Sequence, residues 1–180
     1  MFHAENSINL RRDTMLSKSM LEKLNKQLNL EFFSSNVYLQ MSSWCESMSL
    51  EGCAVFLKHH AAEEQEHMER FYKYINEKGE MAIVGKIDEP PVSYKSVEEI
   101  FKKAFEHEKV VTRAIHDLVD AAIKEKDYTT QSFLQWFVDE QHEEETLFQS
   151  ILDKMELIGL DKRGLYMFDK ELAKLTEKES

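Results

Sequence analysis

Phe56-Leu-Lys-His-His-Ala-Ala-Glu-Glu-Gln-Glu-His-Met-Glu-Arg-Phe71 and Phe133-Leu-Gln-Trp-Phe-Val-Asp-Glu-Gln-His-Glu-Glu-Glu-Thr-Leu-Phe148 lie 77 positions apart and are versions of one another. Glu63 answers to Glu140, Glu64 to Gln141, Glu66 to Glu143, His67 to Glu144 and Phe71 to Phe148, and the same offset carries Glu31 onto Glu108. Glu31 therefore stands 33 positions before Glu64, as Glu108 stands 33 before Gln141. Two helix pairs built alike pack around a pseudo-twofold axis and bring these polar residues to one depth in the core. Four-helix proteins hold a pair of metal ions in this way.

The periodicity around the two stretches predicts the rest of the architecture. Ser19-Met-Leu-Glu22 reads as a capping box that starts a first helix running to about Ser47. Its apolar face carries Leu24, Leu28, Glu31, Ser35, Tyr38 and Cys45. A second helix runs from about Ser49 to Lys78, stopped by Gly79. Its face is Cys53, Leu57, His60, Glu64, His67, Phe71 and Tyr74. From Gly79 to Lys95 the helical period is lost and Gly85, Pro90 and Pro91 appear. A loop this long needs a task, and crossing the length of the bundle, so that helices two and three run parallel, is the task expected. Ser96-Val-Glu-Glu99 caps a third helix that ends near Lys126, with Phe101, Phe105, Glu108, Thr112, Ile115 and Val119 on its face. A fourth runs from about Asp127 to Ile158 and stops at Gly159, with Leu134, Phe137, Gln141, Glu144, Phe148, Ile151 and Met155 inward. Leu165 to Leu175 is a short fifth helix that must dock on the bundle or on another subunit. The fold class is all-α, one domain over residues 15–180, with Met1 to Thr14 as a flexible extension.

Composition narrows the function classes. A formal charge of -11 over 180 residues repels nucleic acid and anionic membranes, and the scattered lysines are mixed with acids as on solvated helix faces. No apolar run reaches the ~18 residues of a membrane span, and the first fourteen residues do not resemble a signal peptide. The two cysteines, Cys45 and Cys53, have no metal-ligand spacing and read as buried thiols of a reducing cytosol.

Glu31, Glu64, His67, Glu108, Gln141 and Glu144 interrupt otherwise apolar stripes. Burying such carboxylates unpaired is costly, and several facing one another repel. A divalent or trivalent metal removes both problems. Glu64-x-x-His67 puts a carboxylate and an imidazole one turn apart on one face. By itself that motif is weak, but its echo in Gln141-x-x-Glu144, with a Glu upstream in each half, makes it strong. Mostly oxygen donors with one nitrogen suit iron or manganese, and zinc could enter opportunistically.

From Met15 to Ser180 the chain resembles a bacterial non-haem ferritin. The resemblance rests on Asn29-Leu-Glu31 with Tyr38, Phe56-Leu57 through Glu63-Glu64-x-x-His67, Glu108, Phe133-Leu-Gln-Trp136 through Glu140-Gln-His-Glu-Glu-Glu145, and Gly164-Leu-Tyr-x-x-Asp169. It implies a ferritin-like four-helix bundle with a long crossover between helices 2 and 3, a fifth C-terminal helix and a cytoplasmic 24-subunit shell. It also implies storage of iron as a ferric mineral after Fe2+ is oxidised by O2 or H2O2. Glu31, Glu64 and His67 would hold a first iron. Glu64 would bridge to a second, completed by Glu108 and Glu144 with Gln141 beside it. Glu63, Glu140, Glu143 and Glu144 match a third iron site. Haem is not expected: haem-containing bacterioferritins carry a Met after the bridging Glu, where this chain has Gln65, and a second E-x-x-H, where it has Gln141-x-x-Glu144. Losing that second bridging carboxylate should leave the two irons inequivalent.

Tyr38 lies two turns beyond Glu31 and is either a core aromatic or, by the resemblance, a hydrogen-bonding partner of the site that supplies an electron during oxygen reduction. Trp136 reads as a core aromatic, His60 as a satisfied core histidine, His142 as outward-facing and Glu145 as a solvated acid. Two rivals remain in view. A rubrerythrin-like diiron oxidase or peroxidase resembles the bundle but keeps carboxylates at both bridging positions and adds a cysteine-bound iron. A DNA-protecting mini-ferritin places its ligands across a subunit interface and lacks the fifth helix.

Overall fold

Five helices account for most of residues 16–179, the part of the chain that the computed structural model describes: α1 (Lys18–Ser47), α2 (Glu51–Glu77), α3 (Val97–Glu125), α4 (Tyr128–Ile158) and α5 (Lys162–Glu179). The extension expected over residues 1–14 lies outside the described residues. The helices start and stop where local chemistry satisfies their free backbone groups. Ser96 Oγ accepts from Glu99 N at 3.2 Å to open α3, and Asp127 Oδ1 accepts from Thr130 N at 3.0 Å to open α4. Gly79 and Gly159, both at positive φ, follow α2 and α4.

Three boundaries differ from the sequence reading. Ser17, not Ser19, caps α1, accepting from Met20 N at 3.0 Å. Starting there extends the helix so that Met20 joins the core. Helix α2 begins two residues late because Ser49 adopts a left-handed backbone. Helix α5 spans 18 residues rather than the shorter segment expected. Asp161 supplies the early start: its side chain accepts from Arg163 N and Gly164 N at 3.0 and 2.8 Å.

Two apolar clusters fix the direction of every helix. One joins Val37 to Cys45 of α1, Cys53 to Ala61 of α2, Val97 to Ala104 of α3 and Phe148 to Met155 of α4. The other joins Met20 to Leu28, Phe71 to Ile75, Val111 to Ala122 and Leu134 to Phe137. Helices α1 and α4 thus run from the second cluster to the first, and α2 and α3 run back, parallel to each other. The segment between α2 and α3 must therefore return along the whole bundle, as its length suggested. It is pinned to α1 on the way: Ile83 N donates to Asn25 Oδ1 at 2.7 Å and Gly85 N to Asn29 Oδ1 at 2.6 Å, while Asn29 Nδ2 donates to Ile83 O at 2.8 Å.

Helix α5 docks on the end of α2 with two specific contacts. No side chain within α2 or its N-cap Leu50 caps its amides. Asp169 of α5 does so instead, its Oδ1 accepting from Cys53 N at 2.9 Å. Gly52 allows that approach, since a Cβ there would lie 1.8 Å from Asp169 O. Phe168 and Leu172 complete the first apolar cluster; burying such a side chain contributes roughly 1.5–3 kcal/mol. Cys45 and Cys53 lie beneath this junction as buried free thiols. Their mutual hydrogen bond, followed by burial, pushes the Cys53 thiol upward.

Candidate metal centre

Between the two apolar clusters lies a layer of polar side chains, one step along each helix. Glu31 of α1, Glu64 and His67 of α2, Glu108 of α3, and Gln141 and Glu144 of α4 are all buried, none more than 7 % exposed. Tyr38 is buried above them. The helical period on each helix turns these residues inward, and the 33-residue spacing within each half sets them at a common depth.

Donor atoms of Glu31, Glu64 and His67 lie within 4.8 Å of one another. Gln27 Nε2 donates to Glu31 Oε1 at 2.8 Å, and His67 Nδ1 is 3.4 Å from Glu64 Oε2. Glu31 Oε2, Glu64 Oε2 and Glu144 Oε2 are buried without a hydrogen-bond partner. Such orphaned acceptors cost stability, and they are the atoms a cation would satisfy. The second helix pair, α3 and α4, is arranged differently. Tyr38 Oη donates to Glu108 Oε1, and Gln141 Nε2 donates to Glu108 Oε2 at 3.1 Å.

The charges respond as a crowded carboxylate cluster should. Burial, then the charge of Glu64, holds Glu31 well above the usual carboxylate range. Burial, then the charges of Glu108 and Glu144, does the same to Glu64. Glu108 is pushed up to about 7, by burial first and Glu144 next. Burial and the charge of Glu108 raise the Tyr38 phenol. Without a cation the layer holds protons in its place, so metal uptake must release them.

The acids next to the layer divide. Glu63 and Glu140 are half-buried and Glu143 is exposed. Glu140 is raised by burial first; His67 lowers it, while Glu144, Glu143 and Glu63 raise it further. His67 Nε2 is 3.9 Å from Glu140 Oε1. These carboxylates therefore feel one another at the edge of the layer. Glu145, expected in solvent, is half-buried, because it lies one turn from both Gln141 and Phe148 on the inward side of α4. His142 is exposed, as expected. Trp136 stacks edge-on to His67 at 5.4 Å, with the Arg70 guanidinium 3.8 Å over its ring.

Two histidines carry more than the sequence disclosed. His60 is buried, its Nδ1 3.2 Å from Phe56 O and its Nε2 3.4 Å from Glu144 Oε2. Burial alone would lower its pKa, but the nearby carboxylates of Glu144, then Glu63 and Glu108, lift it to about 9. His60 is thus a core histidine, but not the satisfied one expected, since its Nε2 is buried without a hydrogen-bond partner and faces the polar layer. His107 contacts Ser34 Oγ at 2.7 Å and packs edge-on to Tyr38; burial lowers it to about 4. Its position next to Glu108 was the only available signal.

Comparison with known proteins agrees with this geometry. A family model described as a ferritin-like domain matches residues 21–158. A probable bacterial non-heme ferritin-like protein of Haemophilus influenzae is 50 % identical over 164 residues, covering 91 % of this chain and 99 % of the relative. A bacterial non-heme ferritin of Escherichia coli is 47 % identical, over 89 % of this chain and 98 % of the relative. Among solved structures, an open-pore ferritin from Archaeoglobus fulgidus superposes with a TM-score of 0.87 at 39 % identity, over 89 % of this chain and 98 % of that one. A Chlorobium tepidum ferritin does so with a TM-score of 0.80 at 48 % identity, with the same coverage.

Proposed function

The chain belongs to the bacterial non-haem ferritins of the ferritin-like family and stores iron, and we propose that it loads that iron by oxidising Fe2+ in the polar layer between its two apolar clusters. Fe2+ is the substrate. One ion is taken by Glu31, Glu64 and His67. A second is taken by Glu108 and Glu144, with Gln141 alongside and Glu64 shared. The observation that carries this reading is the set of buried, unpartnered carboxylate oxygens on Glu31, Glu64 and Glu144. Carboxylates with a single imidazole suit iron. Two Fe2+ give two electrons, which reduce one O2 to H2O2 with uptake of two protons; H2O2 serves as the alternative oxidant. Reduction beyond peroxide to water takes two more electrons and two more protons, one electron from Tyr38, hydrogen-bonded to Glu108, and one from an Fe2+ at a third position on the edge of the layer.

Glu63, Glu140 and Glu143, with Glu144 as the bridge, form a third iron position at the edge of the layer, through which Fe3+ leaves toward the mineral. The half-buried Glu63 and Glu140 and the exposed Glu143 lie between the buried pair and solvent, which suits transfer rather than retention. The product collects as ferric mineral inside a 24-subunit cytoplasmic shell. Among the described residues no helix is long and apolar enough to cross a membrane. Haem has no place in this reading, since Gln65 stands where a haem-ligating Met would be.

Aerobic loading with Fe2+ tests the proposal as a whole. The expected product is a particle of about 24 chain masses carrying far more iron per chain than the three proposed positions hold. Iron uptake that stops at two or three per chain would remove the storage reading. Uptake at the uncatalysed rate would remove the oxidation site.

A further inference from the structure

One turn outside the buried layer, on the same helix, His59, His60 and Glu63 bring donor atoms within 4.8 Å of one another. Glu63 lies four residues beyond His59 and three beyond His60. At ~100° per residue its side chain emerges between theirs, one turn along. His59 Nδ1 is 3.2 Å from Glu63 Oε2, and His60 Nδ1 is 3.6 Å from the same oxygen. Zinc binds imidazole and carboxylate at ~2.0–2.2 Å in a tetrahedron, whose donors then stand about 3.3 Å apart. The two separations to Glu63 match tetrahedron edges.

The hydrogen bonding around the cluster is incomplete in a way that one cation resolves. His59 Nδ1, His60 Nε2 and Glu144 Oε2 are all buried and unpartnered. In the metal-free protein His60 Nδ1 lies 3.2 Å from Phe56 O, and Nε2 lies 3.4 Å from Glu144 Oε2. A cation on His60 Nδ1 leaves the ring's one proton on Nε2. Nε2 then carries the proton and donates to Glu144 Oε2, now 3.4 Å away, while His59 Nδ1 gains the cation as its partner. A metal-bound histidine commonly passes its second ring hydrogen to a carboxylate in this way.

We propose that His59, His60 and Glu63 form a separate binding site for a divalent cation of imidazole preference, with Zn2+ as its representative. A solvent molecule takes the fourth position. Two nitrogens and one oxygen distinguish it from the oxygen-rich layer inside. The side chain of His59 is 28 % exposed, so the site is reached from solvent without opening the bundle. Occupancy would commit Glu63, which the third iron position also uses, and would fix the ring of His60 against Glu144. The site therefore lets a second metal act on the edge of the iron layer.

The test reads metal binding alone and does not depend on the oxidation chemistry proposed above. Crystals of the iron-free protein are soaked in Zn2+ and measured on both sides of the zinc absorption edge. The proposal expects an anomalous peak bonded to His59 Nδ1 and Glu63 Oε2, besides one at Glu31, Glu64 and His67. In His59→Gln, the outer peak disappears and the inner one stays. In solution, titration of the variant shows one fewer Zn2+ per chain, or at least a ~10-fold weaker affinity at one site. Absence of the outer peak in the unmodified protein, or equal Zn2+ binding by both proteins, overturns the proposal.

Discussion

The two halves of the repeat occupy matching places and are unequally prepared for a cation. In the α1–α2 half, Glu31 and Glu64 each keep a buried oxygen with no partner, and His67 stands beside them. In the α3–α4 half, both oxygens of Glu108 already accept hydrogen bonds, from Tyr38 and from Gln141. A cation entering the first half relieves an existing penalty. One entering the second relieves the unpartnered Glu144 Oε2 but must displace or share the donors that Glu108 already has. The exchange of a carboxylate for an amide, Glu64 against Gln141, supplies one of these two donors, because an amide donates hydrogen bonds where a carboxylate can only accept them, and Tyr38 supplies the other. Inequivalence between the two proposed metal positions would therefore be set by the protein before any metal arrives.

Removing the ligand the halves are proposed to share should have the largest effect. Glu64→Ala is expected to slow initial Fe2+ oxidation by roughly 100-fold or more, since even partners of metal ligands typically cost ~10–100-fold. The fold should survive, because losing one member relieves the crowding that raises Glu31 and Glu64. Stopped-flow absorbance with sizing of the assembled particle measures both. An unchanged initial rate would end the assignment.

Making the halves alike should have a moderate effect. Gln141→Glu removes the donor that holds Glu108 Oε2 and adds an anionic oxygen. It is expected to tighten the second position by about 10-fold and slow turnover after the first few irons per chain, since an added carboxylate favours a hard cation. Iron titration with multiple-turnover kinetics would show it. Turnover matching that of the unmodified protein would mean that the Gln141 amide does not set the difference.

The smallest effect concerns stability without metal. A carboxyl whose folded pKa is raised retains a proton that the unfolded chain has lost. Its stabilising contribution is full below the unfolded value and is lost as the pH rises through the folded one. For Glu108 that window runs from 4.5 to about 7, and Glu31 and Glu64 act in the same direction. His60, lifted to about 9, contributes stability that is full below 6.5 and is lost as pH rises through about 9. The Tm of the metal-free protein should accordingly fall between pH 4.5 and 9, and a bound divalent cation should flatten the decline. Parallel profiles with and without metal would contradict the proton-for-metal account.

Much of this was legible in the sequence for one physical reason. Helical period and a constant offset place Glu31, Glu64, Glu108, Gln141 and Glu144 at one depth regardless of how the helices pack in detail. The same logic gave the crossover, since α2 and α3 can run parallel only if the chain returns the length of the bundle. Contacts between distant segments stayed hidden. Nothing near Leu50 announces that Asp169, 116 residues beyond Cys53, caps α2. Ser17 and Ser19 offer the same hydroxyl, and the burial of Met20 decides between them. His60 sits on the inward face of α2, but its reach to Glu144 depends on the spacing of α2 and α4, which no single-helix pattern contains.

The order in which the two positions fill tests the central claim most directly. Crystals of the iron-free protein are given substoichiometric Fe2+ without oxygen, and anomalous occupancy is refined at both positions as the iron is increased. The account predicts that density appears first among Glu31, Glu64 and His67, and only later between Glu108 and Glu144. Equal filling at every step, or earlier filling beside Glu108, would contradict it.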